Sequence, residues 1–240
     1  MEVRVYRGRR VDPAADQAIT ADLLTETAET GIPSIRVWQP HRQVAFGRRD
    51  SNTEGYDAAK AAAADRDYHA IERRVGGRAV AYTGRTLAVA SAVPIEDVRR
   101  GMCDRYGELS DTLVDVLSTL GAEVTRGEAA EAYCAGSHSV SAVGATGEPT
   151  EKLAGVAQRV QSGAALVAAS LTVAEADIEA VRSVLGPVYR ALDVPFDPST
   201  VGSVSTAGGP KDPAVVRQAL EDALVDGRER TVVTVGEETP

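Results

Sequence analysis

The sequence predicts an α+β fold, that is, a mixed-sheet α/β protein whose sheets are flanked by helices. Strand-like segments and amphipathic helical segments follow one another without the strict alternation of a doubly wound parallel fold. The chain has 240 residues, of which 43% are hydrophobic and 25% are charged. A chain of this length and composition can bury a substantial core, as an ordinary globular protein does.

The charge balance argues against several classes of protein. With 26 basic and 35 acidic residues the formal net charge is −9, which argues against nucleic acid as a partner because phosphate contacts need a basic surface. Aromatic residues make up only 4% of the chain, too few for base stacking along single strands. No stretch of 18 apolar residues and no signal-peptide pattern occurs, so we expect a cytoplasmic protein that binds no membrane.

Helix and strand signals locate the elements of the first half of the chain. A helix over about 14–30 opens at Asp12-Pro13 and closes at Gly31, and the alanine-rich segment 54–66 has strong helix propensity. Gly76-Gly77 is expected to form a hairpin turn between two strands. Short runs rich in β-branched and apolar residues predict strands over 34–38, 43–46, 69–73, 78–82 and 86–92.

The second half continues the mixture of helices and strands. Apolar residues at helical spacing predict a long helix from Pro94 to about Leu120. Further helices are expected over 175–185 and 213–224. Strands are expected over 123–126, 139–143 and 164–173, and one more from Lys152 onwards.

The segment Arg73-Arg74-Val75-Gly76-Gly77 is the first candidate site. Paired glycines allow backbone N–H groups to approach an anion closely, and neighbouring arginines supply bidentate donors. This combination suits a carboxylate, a phosphate or a developing oxyanion. A plain turn with solvated arginines explains the same residues equally well, so both interpretations stay open at this point.

Lys152 is the second candidate, because lysine is rare in this chain. Only Lys60, Lys152 and Lys211 are lysines among the 26 basic residues. A lysine at the start of a strand is usually a solvated rim residue. Where arginine has replaced lysine almost everywhere, a retained lysine also suits a role that needs a compact, titratable ammonium.

Cys134 is the third candidate, in a loop of small and polar residues that also holds Gly136 and His138. A free cysteine is most often a small buried hydrophobe, and that interpretation stays open. Cysteine is also the best side-chain nucleophile at neutral pH when a cation lowers its pKa. The candidate cations are His138, and Lys152 if the fold brings it near.

Familiar metal-binding and nucleotide-binding motifs are absent from the sequence. His41 and His69 stand far apart and no HxxxH or CxxC spacing occurs, so no metal site is expected. Neither a Walker loop nor a GxSxG elbow nor a GxGxxG fingerprint occurs.

Three segments, in this order, resemble the lipoate/biotin protein ligase superfamily, and in particular the lipoate-protein ligase A-like members. The first segment of this chain is IRVWQPHRQVAFGRRDS, which looks like the family's paired first strands. The family's RRxSGGGxVxHDxGxLxxS signature is similar to RRVGGRAVAYTGRTLAVASAVP, and its lysine-bearing KxxGxAQRR segment is similar to EKLAGVAQRVQSGAALVAASLTV. The resemblance is clearest over 34–173. It implies one catalytic domain over 1–240 with the biotin/lipoate protein ligase fold and a tail over 230–240.

Within this superfamily the chain resembles the octanoyl and lipoyl amidotransferases that carry a loop cysteine. The likeness rests on YCAGSHSVSA, which precedes KLAGVAQR. The resemblance therefore implies that Cys134 carries the acyl group and that Lys152 orients the acyl carbonyl or phosphate. The substrate-binding residues that it implies are Arg73, Arg74, Gly76, Gly77, Gly155 and Gln158.

The resemblance implies an enzyme that attaches a lipoyl or octanoyl group to the lysine of a lipoyl-carrier domain. Cysteine-mediated transfer between carrier proteins needs no tightly bound cofactor. The first alternative is an ATP-dependent lipoate-protein ligase that forms lipoyl-adenylate and needs ATP and Mg²⁺; the second is a non-catalytic lipoyl-binding module. The implied partners are lipoyl domains of 2-oxoacid dehydrogenase E2 subunits or the glycine cleavage H protein, with lipoate or octanoate.

The chain departs from the family pattern within the glycine-rich signature. Val75 stands where the family has serine, Arg78 replaces the third glycine, and Tyr82-Thr83 replaces the histidine and aspartate. Ala135 follows the cysteine where the amidotransferases have proline. Arg78 is therefore expected to narrow or recharge the pocket.

Overall fold

The computed structural model describes residues 2–73 and 75–236, which form two β-sheets with helices on their faces. The strands are β1 (Glu2–Gly8), β2 (Ser34–Trp38), β3 (Gln43–Phe46), β4 (His69–Glu72), β5 (Val80–Tyr82), β6 (Leu87–Pro94), β7 (Val124–Arg126), β8 (Val140–Val143), β9 (Pro149–Gln161), β10 (Ala164–Leu171) and β11 (Glu229–Val235). The α-helices are α1 (Pro13–Thr30), α2 (Tyr56–Ala64), α3 (Met102–Thr119), α4 (Ile178–Ala191) and α5 (Pro213–Val225). Short 3-10 helices cover Glu175–Asp177 and Pro198–Thr200.

Both sheets contain parallel and antiparallel neighbours. The larger sheet has eight strands in the order β11-β1-β2-β6-β10-β9-β8-β7, and the smaller has the order β4-β3-β5. In the larger sheet β1 runs parallel to β11 and β2, and the other neighbours are antiparallel. In the smaller sheet β3 is parallel to β4 and antiparallel to β5. The predicted mixed-sheet fold class is confirmed.

Helix α1 begins and ends where the sequence predicts. The side chain of Asp12 accepts the backbone N–H of Ala15 at 2.8 Å, which caps the first turn. Gly31 ends the helix with a φ of +69°, and its N–H donates to the carbonyl of Thr27 at 2.9 Å. None of the helices in the described part of the chain is long and apolar enough to cross a membrane.

Buried apolar side chains join the layers in three groups. Leu117 belongs to the group between the larger sheet and helices α3 and α5. Leu24 and Leu166 belong to the group between α1 and the opposite face of that sheet. Phe46 and Leu185 belong to the group between the smaller sheet and helices α2 and α4. The larger sheet is thus covered on both faces, and α1 and the smaller sheet lie on the same side.

The predicted hairpin at Gly76-Gly77 is wrong. β4 and β5 are not paired with each other, because β3 lies between them and runs parallel to β4. The chain therefore passes from β4 at one edge of the smaller sheet to β5 at the other, and the two strands are not joined by a tight turn. A crossing segment of this kind leaves its backbone N–H groups free of strand pairing.

The structure differs from the prediction at three further places, which are the start of α3, strand β1 and the C-terminal tail. Residues 87–94 pair with β10 along their whole length, so the helix expected from Pro94 begins only at Met102. The sequence predicted no element over Glu2–Gly8, which forms β1. Residues 230–235 of the expected tail belong to β11, which pairs in parallel with β1. Residues 237–240 of that tail lie outside the described residues.

Candidate active site

Cys134 lies in the loop between β7 and β8 with a backbone conformation that cysteine rarely adopts. Its φ is +46°, in the left-handed region that costs a non-glycine residue about 1–2 kcal/mol. Its backbone N–H donates to the hydroxyl of Tyr189, which donates to the carbonyl of Ala79 at 2.9 Å. Nζ of Lys152 donates to the carbonyls of Tyr133 at 2.9 Å and of Cys134 at 2.7 Å. These hydrogen bonds hold the loop from two sides.

The sulfur of Cys134 occupies a small anion-binding site. The backbone N–H of Arg78 donates to Sγ at 3.1 Å, and Nη2 of Arg73 lies 3.5 Å from it. Gly77 provides the room, because a Cβ there would lie 2.7 Å from Sγ and 2.8 Å from Nη2 of Arg73. Its φ of +90° also favours glycine. Gly47 allows this approach in turn, since a Cβ there would lie 1.9 Å from the carbonyl oxygen of Gly77.

The surroundings of Cys134 favour its thiolate. Burial raises the pKa of the Cys134 thiol, but the positive charges of Arg73 and Lys152 lower it. Hydrogen bonds from the Arg78 N–H and the Arg73 guanidinium lower it further, and the net result is a pKa below the ordinary value for cysteine. A lowered pKa at a partly exposed cysteine is a property of nucleophilic cysteines.

Lys152 is completely buried on β9, so it is not a rim residue. Burial lowers the pKa of Lys152, the negative charges of Cys134 and Glu128 oppose that effect, and Arg73 adds to it, so that the pKa lies below the ordinary value. Gly155 leaves room for the side chain, because a Cβ at Gly155 would lie 3.1 Å from Cε and 3.3 Å from Nζ of Lys152.

Arg73 lies between the sulfur of Cys134 and a cavity between the two sheets. Its Nη2 also donates to the carbonyl of Arg78 at 2.6 Å, whereas its Nε is buried with no hydrogen-bond partner among the described residues. Arg73 is one of the residues that line the cavity. Arg74, the other arginine of the motif, lies outside the described residues.

A backbone contact between Gly76 and Gln158 connects the glycine-rich segment that follows Arg73 to strand β9, which carries Lys152. The N–H of Gly76 donates to the backbone carbonyl of Gln158 at 3.3 Å. The side-chain oxygen of Gln158 accepts Nε and Nη2 of the buried Arg105 at 3.1 and 3.0 Å, and its amide donates to the carbonyl of Met102 at 3.3 Å. The Gln158 amide thus anchors the start of α3 to β9, and a role in substrate binding stays a prediction.

Arg78, one of the departures from the family pattern, turns its side chain to a buried carboxylate. Nη1 of Arg78 lies 3.2 Å from Oδ1 of Asp50, whose side chain is completely buried. The other oxygen of Asp50 accepts the N–H of Gly47 at 3.0 Å. Burial raises the pKa of the Asp50 carboxyl above its usual value, although both hydrogen bonds and the charges of Arg78 and Arg73 oppose this effect. The Arg78 charge is therefore paired with Asp50 and is not directed into the cavity.

The cavity lies between the larger sheet, the smaller sheet and α1, and its volume is about 1040 Å³. Val75 and Tyr82, two further departures from the family pattern, are among the residues that line it. Thr83 does not face it but donates its hydroxyl to Asp177 at 2.9 Å. Apolar side chains of the lining include Leu24, Trp38, Ala45, Phe46, Ala88 and Ala168.

His138 and Cys103 have other surroundings. The ring of His138 stacks on Tyr106 with 4.7 Å between centroids, and its Nδ1 lies 3.4 Å from Nη2 of Arg126. The positive charges that lower the pKa of Cys134 are those of Arg73 and Lys152, so of the two candidate cations it is Lys152 that the fold brings near. Cys103 is exposed on α3. Among the described residues no group of three or more His, Cys, Asp or Glu side chains is arranged to hold a metal ion.

Sequence reasoning missed Asp50, Tyr189 and Arg105. Each acts through a partner that lies far away in the chain: Arg78 for Asp50, Cys134 for Tyr189 and Gln158 for Arg105. These partners are 28, 55 and 53 residues distant, respectively. A local motif carries no signal for such pairs. The one available hint for Asp50 is its place after the glycine of the AFGRRD segment.

Known proteins match the chain in sequence family and in fold. The model of the family described as "Lipoyl protein ligase A/B catalytic domain" matches residues 12–225. No curated protein sequence matches the chain. The structural matches below share so few residues with the chain that they show the fold alone.

Three solved structures illustrate this likeness. Lipoate-protein ligase A bound with ATP has a TM-score of 0.73 and 17% identity over 98% of this chain and 90% of that chain. A bi-partite lipoate protein ligase from Thermoplasma acidophilum, from a study that includes its E2 lipoyl domain, has a TM-score of 0.72 and 18% identity over 98% and 88%. LipL1 of P. falciparum in complex with lipoate has a TM-score of 0.60 and 10% identity over 98% and 66%. The predicted biotin/lipoate protein ligase fold is confirmed.

Proposed function

This chain belongs to the family of lipoyl protein ligase A/B catalytic domains, and we propose that it transfers a lipoyl or octanoyl group through Cys134 to the lysine of a lipoyl-carrier domain. One observation carries the choice of cysteine chemistry. Sγ of Cys134 lies 3.1 Å from the N–H of Arg78, in the anion-binding site beside the cavity. The sulfur occupies the position at which the motif would otherwise bind the anionic group of a substrate.

The acyl chain occupies the cavity between the two sheets. Its volume of about 1040 Å³ is large enough for a chain of eight carbons with or without a dithiolane ring. Apolar side chains from both sheets favour an alkyl chain, and the unpaired Nε of Arg73 offers a donor to its polar end.

In the first step the thiolate of Cys134 attacks the carbonyl carbon of an acyl group held by a donor carrier. The bond from sulfur to carbon forms, the bond from carbon to the donor atom breaks, and the departing group takes a proton from water. The lowered pKa of Cys134 provides the thiolate. The N–H of Arg78 no longer has a charged sulfur to stabilise and becomes available to the carbonyl oxygen.

In the second step the amine of the acceptor lysine attacks the thioester. The carbon–nitrogen bond forms, the carbon–sulfur bond breaks, and the thiolate returns to the site made by Arg73 and Arg78. Acylation removes the negative charge of Cys134, which otherwise raises the pKa of Lys152. The pKa of Lys152 therefore falls further in the acyl-enzyme, and its amine can take the proton that the acceptor lysine releases.

Lipoyl domains of E2 subunits and the glycine cleavage H protein are the proposed acceptors. A structurally similar protein from T. acidophilum has been studied with its E2 lipoyl domain, which supports acceptors of this kind. P. falciparum LipL1 binds lipoate, which supports the proposed acyl group.

An ATP-dependent lipoate-protein ligase is the second candidate. The likeness in fold to lipoate-protein ligase A bound with ATP favours it. Lys152 and the Arg78 N–H are the groups that would meet the phosphates. Both are engaged by the cysteine loop, through the carbonyl and the sulfur of Cys134. Phosphates would have to displace these contacts, so the residues fit a cysteine transferase better than an adenylating enzyme.

The two candidates differ in what they require, and intact mass spectrometry of an apo lipoyl domain separates them. One reaction contains ATP, Mg²⁺ and free lipoate or octanoate, and the other contains an acylated carrier protein and no nucleotide. The proposal predicts a mass gain in the second reaction alone, lost in Cys134→Ser and retained in Cys103→Ser. A gain in the first reaction alone would identify a ligase, and no gain in either would favour a non-catalytic lipoyl-binding module.

A further inference from the structure

Ser170 lies on β10, the strand that contributes Leu166, Ala168 and Ala169 to the cavity wall. Alternate residues of a strand face the same side. Leu166 packs in the group on the α1 side of the sheet, whereas Ala169 packs on the opposite side, so Ser170 faces the α1 side, which is the side of the cavity. Its neighbours across the sheet are Ala88, which also lines the cavity, and Gly155. Ser170 is only 6% exposed.

The hydroxyl of Ser170 is buried without a hydrogen-bond partner among the described residues. An unpaired buried hydroxyl costs folding free energy, and native proteins contain few of them. Ser34, another buried serine of the larger sheet, accepts the hydroxyl of Thr27 at 3.2 Å. The unpaired state of Ser170 is accounted for if a ligand in the cavity supplies the missing partner.

Ser170 and Lys152 approach the same position beside Gly155. A Cβ on Gly155 would lie 3.3 Å from Nζ of Lys152 and 3.9 Å from Oγ of Ser170. An ammonium has three N–H groups, and two of those of Lys152 go to the carbonyls of Tyr133 and Cys134. The serine hydroxyl and the lysine ammonium therefore both lie within 4 Å of the position that a Cβ of residue 155 would occupy.

We propose that Ser170 is a substrate-binding residue whose hydroxyl donates a hydrogen bond to the carbonyl oxygen of the acyl group that Cys134 receives. The inference rests on the proposed function, because it requires an acyl group at Cys134. An alkyl chain that lies along Ala168 and Ala88 brings its polar end to the part of the sheet that holds Ser170 and Lys152. A carbonyl oxygen has two lone pairs, so the Ser170 hydroxyl can donate to it alongside the N–H of Arg78, which acylation of the sulfur releases.

A donor at this position acts most strongly when the carbonyl is attacked. Negative charge then develops on the oxygen, and a fixed donor in a water-poor site stabilises that charge. Ser170 thereby fixes the orientation of the carbonyl relative to Sγ of Cys134, while Arg73 and Lys152 stabilise the sulfur. Its role differs from that of Lys152, because the serine does not hold the cysteine loop.

The test compares Ser170→Ala with the wild type in three measurements. Acylation of Cys134 by an octanoylated carrier protein, followed by intact mass, is expected to slow by about ten- to hundredfold. The thermal midpoint of the variant is expected to stay equal or to rise, because the substitution removes an unpaired buried hydroxyl. Alkylation of Cys134 by iodoacetamide is expected to proceed at the wild-type rate, since no acyl carbonyl takes part.

Ser34→Ala is the matched control, because its hydroxyl is equally buried and has a partner. That variant is expected to lose thermal stability and to keep the wild-type rate of acylation. Acylation of Ser170→Ala within twofold of the wild type overturns the inference alone. Slower acylation together with a lower thermal midpoint and slower alkylation assigns Ser170 a structural role and also overturns it. If the wild type itself is never acylated, the proposed function fails together with the inference.

Discussion

Nζ of Lys152 and the backbone carbonyl oxygen of Cys134 are 2.7 Å apart, so the buried lysine holds the backbone of the cysteine that we propose as the nucleophile. Lys152 also bonds to the carbonyl of Tyr133, and the loop keeps Cys134 at a φ of +46°. The charge of Lys152 lowers the pKa of Cys134, and the charge of Cys134 raises that of Lys152. Lys152 thus contributes both to the position of the Cys134 loop and, after Arg73, to the lowered pKa of the sulfur.

Lys152→Met is expected to impair both properties. The carbonyls of Tyr133 and Cys134 lose their donor, and each unpaired buried group costs about 1–3 kcal/mol of unfolding free energy. The pKa of Cys134 is expected to rise, because a positive charge that lowers it is removed. Urea unfolding and the pH dependence of alkylation measure the two effects. Lys60→Met is the control, since Lys60 is a half-buried residue of α2 that is paired with Asp57. An unchanged pKa of Cys134 in Lys152→Met would argue against the coupling.

Alkylation of Cys134 is expected to begin at a lower pH than alkylation of an ordinary thiol. In a Cys103→Ser background the alkylation rate should rise with pH, with an inflection below about pH 8.5, the ordinary thiol pKa. Arg73→Met should move this inflection to higher pH, because the charge of Arg73 lowers the pKa of Cys134. The folded-state pKa is lowered, so the thiolate contributes stability that is present above the ordinary thiol pKa and is lost as pH falls through the folded pKa. The advantage of wild type over Cys134→Ser in unfolding free energy should therefore grow with pH over this range. An inflection at or above the ordinary value would contradict the assignment.

Gly77→Ala and Gly76→Ala form a matched pair of adjacent substitutions. A Cβ at Gly77 meets Sγ of Cys134 at 2.7 Å and requires a φ of +90°. Among the described residues other than its chain neighbours, a Cβ at Gly76 comes no closer than 3.8 Å to any atom. Gly77→Ala is expected to lose about 1–3 kcal/mol of unfolding free energy and to slow acylation of Cys134 at least tenfold. Gly76→Ala is expected to retain its unfolding free energy and to slow acylation less than Gly77→Ala does. Equal effects of the two substitutions would show that close approach at Gly77 is not what the site needs.

Arg78→Met is expected to destabilise the protein by about 3 kcal/mol at neutral pH, because it leaves the buried carboxylate of Asp50 without its ion-pair partner. Burial raises the pKa of Asp50, and loss of the arginine raises it further. The folded state then binds a proton more readily than the unfolded state, so stability falls as pH rises through this range. The cost of Arg78→Met should accordingly shrink as pH falls from 7 toward 4, and adding Asp50→Asn should remove most of it. Urea unfolding at both pH values checks this, and a cost independent of pH would contradict the role of Asp50.

The sequence was informative where the signal is local. The caps of α1, the strands at 34–38 and 43–46, and the arginine, cysteine and lysine motifs follow from residues that stand next to each other. The rarity of lysine in the sequence identified Lys152 as a candidate. In the structure Lys152 is completely buried beside Cys134.

The rest depends on contacts between distant segments. No property of Gly76-Gly77 alone shows that β3 lies between β4 and β5, so the turn was predicted where a crossing occurs. Nor does the sequence show that β1 pairs with β11, which lies more than 220 residues away in the chain. The pairing of Asp50 with Arg78, and of Tyr189 with the Cys134 loop, is a tertiary property for the same reason.

The most direct test of the account is the intact mass of the protein itself after incubation with an octanoylated carrier protein, with no nucleotide present. The account predicts one added octanoyl group that hydroxylamine releases, that peptide mapping assigns to Cys134, and that passes to an apo lipoyl domain on its addition. Cys103→Ser should behave as the wild type, and Cys134→Ser should gain no mass. A wild-type protein that stays unmodified while lipoyl domain is acylated only with ATP would contradict the central claim.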